Sequence, residues 1–219
     1  MKKHCAYCGA TNIKLEREHV VPRSIYPPSR ADSKIQRLTV PACANCNRGW
    51  SDDEAHFRNI LSIAGAPNSV VRELWDGSIN RSFEKEDGRR RIADIWEQMR
   101  SVKVDAVERF AVYPATDPRF LRVLRKIVRG LHYYHELESP ISDEIVEADV
   151  LRYIVPQEFL ESMPYRHRES DIFEYQFEVF DEFEDIPMRS VWLFTFFENR
   201  KFIAWVYKQA SNRRRTGNK

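Results

Sequence analysis

The spacing of apolar residues divides the 219-residue chain into three stretches with different predicted secondary structure. The first, residues 1–64, has few periodic signals before the segment SDDEAHFRNILSIAG. That segment has acids in its first turn and stops at Gly65, so it predicts a helix over 52–64. Ser51 and Glu54 have the spacing of a capping box at its start. The first stretch is therefore predicted to end in one well-defined helix.

The middle stretch is predicted to be helical. The segment NSVVRELWDG predicts a short helix capped by Asn68 or Ser69, and residues 84–91 predict a polar loop. The segment IADIWEQMR predicts a further helix, which is amphipathic. DPRFLRVLRKIVRGLHYYHELE has the strongest helical periodicity, with apolar residues at 120, 121, 124, 127, 128, 131 and 134. Its basic residues at 119, 122, 125, 126 and 129 are interpreted as a solvated face, with phosphate contact as the alternative.

The last third changes to the period of a β-strand. Residues 173–180 alternate apolar with polar, and 190–197 and 201–207 are rich in aromatic and β-branched residues on either side of a tight ENR connection. We predict an antiparallel sheet of about three strands, with 151–155 as a candidate fourth. The fold class is accordingly α+β. An N-terminal domain over 1–66 precedes a C-terminal domain over 67–219, in which helices pack on the small antiparallel sheet.

Composition and charge narrow the classes of function. Hydrophobic residues make up 42% of the chain and charged residues 31%, as in a folded globular protein. The net charge of +2 is too small to indicate a nucleic-acid partner alone, but residues 1–60 carry ten Lys/Arg against six Asp/Glu, and the C-terminus is the basic NRRRTGNK. Since no apolar run approaches a membrane span and the N-terminus MKKHCAYCGA lacks the apolar region of a signal peptide, we expect no membrane partner and a cytoplasmic location.

All four cysteines lie in two C-x-x-C pairs, CAYC at 5–8 and CANC at 43–46. Four thiolates arranged in this way complete the tetrahedral shell that zinc prefers and leave no position for a catalytic water. Disulfides conflict with the expected compartment, and a redox C-x-x-C would follow a βαβ pattern that is absent. An iron–sulfur cluster uses the same ligands and stays open. We therefore predict a structural zinc bound by Cys5, Cys8, Cys43 and Cys46, closing a 34-residue excursion.

Glu18 and His19 lie within that excursion, in the segment EHVVPRS, while Asn47 follows the last cysteine and His56 falls on the predicted helix. We expect these four side chains to converge. CAYC, EHVVPRS and CANCNRGWSDDEAH, in this order, resemble the HNH endonucleases, whose ββα-metal site is often stapled by zinc through two C-x-x-C pairs. The resemblance covers about residues 1–60. Family members commonly have Asp where this chain has Glu18.

The resemblance implies a role for each residue. His19 would be the general base that deprotonates water, Asn47 would orient the His19 loop or imidazole, and Glu18 with His56 would hold a catalytic divalent metal. That metal would be Mg²⁺, with Mn²⁺, Ni²⁺ or Zn²⁺ as alternatives. An imidazole is suited to base catalysis near neutral pH. The flanking Arg17, Arg23 and Arg48 are candidate phosphate contacts, with ordinary surface positions as the alternative.

The expected function is that of a metal-dependent endonuclease that hydrolyses phosphodiester bonds in nucleic acid. The resemblance favours DNA over RNA as the partner and suggests a role in prokaryotic defence or in a mobile element. The C-terminal domain is expected to select substrate, regulate the nuclease, or form a homodimer or bind another partner. The alternative is a non-catalytic zinc-binding module that contacts nucleic acid or protein.

Overall fold

The computed structural model describes residues 4–30, 37–104, 107–163, 165–169, 171–180 and 187–208; within these ranges, the side chains of 102–104, 107–112, 165–166 and 168 are left undescribed. The basic C-terminal segment NRRRTGNK lies outside the described residues. The structure mixes helices with antiparallel strands, which confirms a mixed helix-and-sheet fold class.

The N-terminal part consists of two paired strands followed by two helices. β1 (Leu15–His19) pairs antiparallel with β2 (Thr39–Cys43), so that Glu18 lies opposite Val40 and His19 opposite Thr39. α1 (Ala44–Arg48) follows β2 directly, and α2 (Ser51–Ile63) follows α1. Since α1 begins at the residue after Cys43, the second cysteine pair lies where the chain changes from strand to helix.

The predicted capping box at the start of α2 is wrong. The helix begins at Ser51 itself, and Trp50 precedes it without a side-chain cap. The Ser51 hydroxyl bonds instead to the backbone carbonyl of Arg48 at 3.4 Å. The Glu54 carboxylate binds Lys126, so a long-range ion pair takes the side chain that local spacing assigned to the cap.

The other helices include the long one that the sequence predicts. They are α3 (Ser69–Leu74), a π-helical turn (Trp75–Ile79), α4 (Asn80–Phe83), α5 (Glu86–Gln98), α6 (Pro118–Tyr134) and α7 (Gln157–Ser162). Asn68 caps α3 as predicted, with its side chain accepting from the Val71 amide at 3.0 Å. The polar loop predicted at 84–91 is wrong, because α5 extends to Glu86. Acids in its first turn suit a helix N-terminus without any apolar periodicity.

Two sheets accompany these helices. β3 (Arg100–Val104) pairs with β4 (Val107–Val112). The larger, antiparallel sheet has the order β5-β9-β8-β7-β6. Its strands are β5 (Val146–Val150), β6 (Tyr165–Glu169), β7 (Phe173–Val179), β8 (Met188–Phe196) and β9 (Arg200–Tyr207). The three principal predicted strands are confirmed, and β6 was not predicted. The candidate strand at 151–155 is wrong: the chain leaves the sheet after Val150, and Ile154 is 97% exposed.

The core lies between α2, α6 and the large sheet. The Phe57 ring of α2 packs at 4.6 Å from that of Phe120 in α6 and at 5.4 Å from that of Phe196 in β8. One apolar cluster thus contains residues from both sides of the predicted 66/67 boundary, and the division into two domains stays a prediction. Among the helices of the described residues, none has both the length and the apolar character needed to cross a bilayer.

Candidate functional site

The four cysteines form one cluster near the N-terminus. Their sulfur atoms all lie within 4.8 Å of one another, and the Cys8 and Cys43 sulfurs are 3.8 Å apart. Four sulfurs at the 2.3 Å zinc–sulfur bond length around one ion would be about 3.8 Å apart, so the donor set fits zinc. All four cysteines are free rather than disulfide-bonded. The predicted set of zinc ligands is therefore assembled in space and can bind a structural zinc ion.

Backbone amides around the cluster are oriented to stabilise thiolates. The Cys43 sulfur accepts from the Cys46 amide at 3.5 Å, and the Cys5 sulfur accepts from the Cys43 amide at 3.4 Å. Burial raises the pKa of Cys5, but hydrogen bonds from the backbone amides of Cys43, Cys8 and Tyr7 outweigh it and bring the value to about 7. Burial and the neighbouring sulfurs raise the pKa of Cys46. Crowded thiolates repel one another, and a cation in their centre relieves that repulsion.

Glu18 belongs to a buried ion cluster. The Lys126 ammonium, fully buried in α6, contacts the carboxylates of Glu18 and Glu54 and donates to the backbone carbonyl of His19 at 3.0 Å. Burial raises the pKa of Glu18, while the positive charge of Lys126 opposes that change. Sequence analysis placed Lys126 on the solvated face of the long helix, which is wrong. The lysine instead ties β1 and α2 to α6.

His56 belongs to a second buried cluster. Its ring nitrogen Nε2 lies 3.0 Å from the Tyr113 hydroxyl and 3.2 Å from the Asp117 carboxylate. Asp117 also caps α6 by accepting from the Arg119 and Phe120 amides at 2.8 and 3.0 Å. Burial lowers the pKa of His56, so the ring is neutral at pH 7. His56 therefore anchors α2 to the N-terminus of α6.

The structure does not bring Glu18 and His56 together as a metal site. Their partners Lys126 and Asp117 are nine residues apart on α6, which corresponds to roughly 14 Å along the helix. Glu54 and His56 are two residues apart on α2, so they point to opposite faces of that helix. The predicted ligands thus serve separate structural clusters, and the only described group of three or more metal-binding side chains is the cysteine cluster.

His19 lies at the end of β1 in a different environment. It is partly buried, and none of the described side chains hydrogen-bonds its ring nitrogens. Burial lowers its pKa first, and the positive charges of Arg37, Arg23, Lys126 and Arg17 lower it further. The imidazole is therefore a neutral base at pH 7, surrounded by cations that would attract a phosphate.

Asn47 contacts β1, but not at His19. Its side-chain amide donates to the Glu16 carboxylate at 2.6 Å, and the exposed Arg48 guanidinium lies 3.9 Å from the same carboxylate. Glu16 is on the strand that ends at His19, and no described hydrogen bond joins Asn47 to the His19 imidazole, so the orienting role of Asn47 stays a prediction. Glu16 was missed because sequence analysis concentrated on the residue next to His19. Strand alternation places Glu16 and Glu18 on the same face of β1 and could have indicated it.

A groove lined by residues of α2 and of the segments that follow β1 and precede β2 contains three arginines, of which sequence analysis named one. It has a volume of about 540 Å³. We call it the arginine groove; its lining residues are Arg23, Ser24, Tyr26, Pro28, Arg37, Ser51, Glu54, Ala55, Arg58 and Ser78. Of the predicted phosphate contacts, the exposed Arg23 lines it, whereas the exposed Arg17 and Arg48 do not. Arg37 and Arg58 had no local signal, since isolated arginines are common on surfaces.

Comparisons with known proteins give no external assignment: no family model, curated protein or solved structure matches the chain.

Proposed function

We propose that this chain is an HNH-type endonuclease in which a zinc-stapled strand pair presents His19 as the general base. The observation that carries the proposal is the environment of His19. The partly buried imidazole at the end of β1 hydrogen-bonds none of the described side chains, and the positive charges of Arg37 and Arg23 act on it and lower its pKa. A neutral base among cations suits the hydrolysis of an anionic ester.

In the proposed hydrolysis, His19 would transfer the proton and two arginines would stabilise the developing charge. His19 would take a proton from water as the oxygen attacks phosphorus, and the 3′-oxygen would leave with the electrons of the broken P–O bond. Arg23 and Arg37 would offset the charge that develops on the phosphoryl oxygens. Solvent would supply the proton that the leaving oxygen needs.

The catalytic divalent metal that the resemblance implies does not fit its predicted ligands. Lys126 already neutralises the Glu18 carboxylate, and Asp117 with Tyr113 holds the ring of His56. A divalent cation taking part in the reaction would need ligands other than the Glu18–His56 pair. The structural zinc does fit, and bound to the four cysteines it would fix β2 and α1 against the N-terminal turn.

The test is a cleavage assay on plasmid DNA, single-stranded DNA and RNA, each with and without added Mg²⁺ or Mn²⁺. Wild type is expected to cut at least one substrate, with DNA as the leading candidate, and His19→Ala is expected to lose about 100-fold or more in rate. His135→Gln is a matched control: His135 is another histidine with a lowered pKa, and it hydrogen-bonds the Tyr175 hydroxyl at 2.8 Å. Equal cutting by wild type and His19→Ala would refute the assignment.

A second candidate is a zinc-binding module that grips nucleic acid without cutting it. It is favoured by the structural use of Glu18 and His56, which leaves neither carboxylate nor imidazole available in its predicted role. The arginine groove would then be the binding surface. The same assay separates the candidates, because a binding module retains substrate in a mobility-shift experiment and yields no product under any metal condition.

A further inference from the structure

We propose that the arginine groove binds a second phosphate group of the substrate strand, beside the phosphate that His19 would attack, with Arg58 as its central contact. This inference rests on the proposed function and specifies how the site holds its substrate. The inference depends on Arg58, two residues after His56 on α2, and on Ser78, which lies 22 residues after His56.

Arg58 is a buried cation without an anionic partner among the described residues. It is 8% exposed, and its Nε and Nη2 atoms both donate to one neutral oxygen, the Asn59 Oδ1, at 3.1 and 2.8 Å. Burial, together with the positive charge of Arg91, lowers its pKa to about 10. The guanidinium is still charged at pH 7. A buried charge costs free energy unless a counter-charge or several hydrogen bonds compensate it.

Arg200 shows what compensation looks like in the same molecule. It is likewise buried and has no described carboxylate partner, but it donates to the backbone carbonyls of Leu61, Ala66 and Phe197 and to the side chain of Asn199. Carbonyls at the end of α2 also carry the negative end of the helix dipole. Arg58 has neither set of acceptors. The single acceptor of Arg58 is a neutral side-chain oxygen, whereas the Nε and Nη1 atoms of Arg200 have four acceptors, although its Nη2 atom has no described partner.

Ser78 provides an independent indication at the same groove. Its hydroxyl oxygen is buried and has no hydrogen-bond partner among the described residues. A hydroxyl left unpaired in the interior costs free energy that a ligand oxygen would recover. The unpaired Ser78 hydroxyl and the Arg58 guanidinium line the same groove, and both would be stabilised by the same kind of ligand, an oxyanion.

The charge of the groove selects phosphate. Arg23, Arg37 and Arg58 line it together with a single acid, Glu54, whose carboxylate is already bound by Lys126. Arg37 is held in place by donating to the Arg30 carbonyl at 3.1 Å and by stacking 4.5 Å from the centre of the Tyr26 ring. Guanidinium groups match phosphate oxygens in geometry as well as charge.

The position of the groove relates this phosphate to the one at His19. Arg58 lies one helical turn after Glu54, on the face of α2 turned away from His56. Arg37 and Arg23 both line the groove and lower the pKa of His19, so the imidazole is within electrostatic reach of the groove. A nucleic-acid strand could then place one phosphate at His19 and another at Arg58.

The test measures binding of fluorescein-labelled single-stranded oligonucleotides, with a 5′-phosphate or a 5′-hydroxyl, by anisotropy without added divalent metal. Arg58→Gln is expected to weaken binding about tenfold and to reduce the salt dependence by about one phosphate contact. Arg72→Gln, which removes one exposed arginine charge on α3, is the matched control and should change affinity less than twofold. Tighter binding of the 5′-phosphorylated strand would assign a terminal phosphate; equal binding would assign an internal phosphodiester.

Melting temperature separates a binding role from a structural one. Without ligand, Arg58→Gln should melt at the same temperature as wild type or higher, because it removes an uncompensated charge. If Arg58→Gln does not fold, the exposed Arg23→Gln takes its place and should weaken binding severalfold. Wild type that binds no oligonucleotide, or groove variants that bind like wild type, would overturn the inference.

The outcomes for the inference and for the proposed function are distinguishable. His19→Ala should bind as wild type does while failing to cut. Arg58-dependent binding without any cleavage by wild type would uphold the phosphate site and refute the nuclease. Cleavage and binding that are both unaffected by Arg58→Gln would leave the nuclease standing and refute the phosphate site.

Discussion

His19 and His56 are both imidazoles whose pKa is lowered first by burial, yet their surroundings assign them opposite roles. His56 is 1% exposed and its Nε2 meets the oxygens of Asp117 and Tyr113. The His19 ring has no described side-chain hydrogen-bond partner, and the positive charges of Arg37, Arg23, Lys126 and Arg17 lower its pKa further. A lowered pKa therefore does not identify a functional histidine by itself. The partners of the ring decide whether it is available for chemistry.

The same contrast applies to the carboxylates and cations nearby. Glu18 is fully engaged by Lys126, whereas Arg58 is buried without an acid among the described residues. The ion pairs of Lys126 with Glu18 and Glu54 hold the β1–β2 strand pair, α2 and α6 together. His19 has no hydrogen-bond partner among the described side chains, and Arg58 has no carboxylate partner among the described residues. The predictions below test this separation between framework and site, beginning with the framework on which both depend.

The largest effect is expected from losing a cysteine. Cys43→Ser should abolish zinc binding and cost most of the stability of the N-terminal part, because structural zinc contributes on the order of 10 kcal/mol in small zinc domains. Zinc content by mass spectrometry and thermal unfolding by circular dichroism provide the measurement. Ala44→Ser, at the next position, is the control and should keep both properties. A Cys43→Ser protein with wild-type zinc content and melting temperature would contradict the zinc site.

The next effect is expected at the buried ion cluster. Lys126→Met leaves the carboxylates of Glu18 and Glu54 without their counter-charge, so we expect a loss of about 3–5 kcal/mol in the free energy of unfolding. Urea denaturation at pH 7 measures it. The double variant Lys126→Met with Glu18→Gln should recover part of the loss, since it removes one of the stranded charges. An unchanged denaturation midpoint in Lys126→Met would show that the cluster is not structural.

A smaller loss is expected at the second cluster. His56→Leu keeps a similar volume but removes the hydrogen bonds to Tyr113 and Asp117, so it should cost about 1–3 kcal/mol of stability. Urea denaturation measures the free energy of unfolding. His135→Leu, which removes a hydrogen bond to Tyr175 in the other half of the chain, is measured in the same way for comparison. Full stability of His56→Leu would mean that the ring is free for another role.

The smallest effect is a pH dependence. Because burial lowers the pKa of His56 in the folded state, the unfolded state binds a proton more readily, and stability should fall as pH falls below about 6.5 toward the folded pKa. His19, His132 and His135 also have lowered pKa values and contribute in the same direction. His56→Leu should therefore lose less stability than wild type between pH 7.5 and 5.5. If wild type and His56→Leu lose the same amount of stability between pH 7.5 and 5.5, this prediction is contradicted.

Features that depend on local spacing were predictable from the sequence. The two C-x-x-C pairs identified the four cysteines that form the cluster and could bind zinc, because short turns determine which sulfurs can meet. The apolar period identified α6, and alternation identified β7. The capping box failed because Glu54 had a stronger distant partner. Local patterns predict an element well and predict poorly which partner its polar side chains choose.

The composition of the candidate site depends on pairs far apart in the chain. Glu18 meets Lys126 across 108 positions, and His56 meets Asp117 across 61. No spacing rule relates residues at such separations, and a resemblance assigns roles only to the motif positions. A lysine within the apolar periodicity of α6 was the available signal for burial. It was interpreted as part of a solvated face because four arginines accompany it.

The most direct test of the account compares His19→Leu with His56→Leu in two assays, the rate of nucleic-acid cleavage and the melting temperature. The account predicts that His19→Leu melts like wild type and loses about 100-fold or more in cleavage rate. His56→Leu should melt at a lower temperature and keep most of its activity at temperatures where it is folded. Loss of activity in His56→Leu with full stability, or unchanged cleavage by His19→Leu, would contradict the assignment of one histidine to the site and the other to the framework.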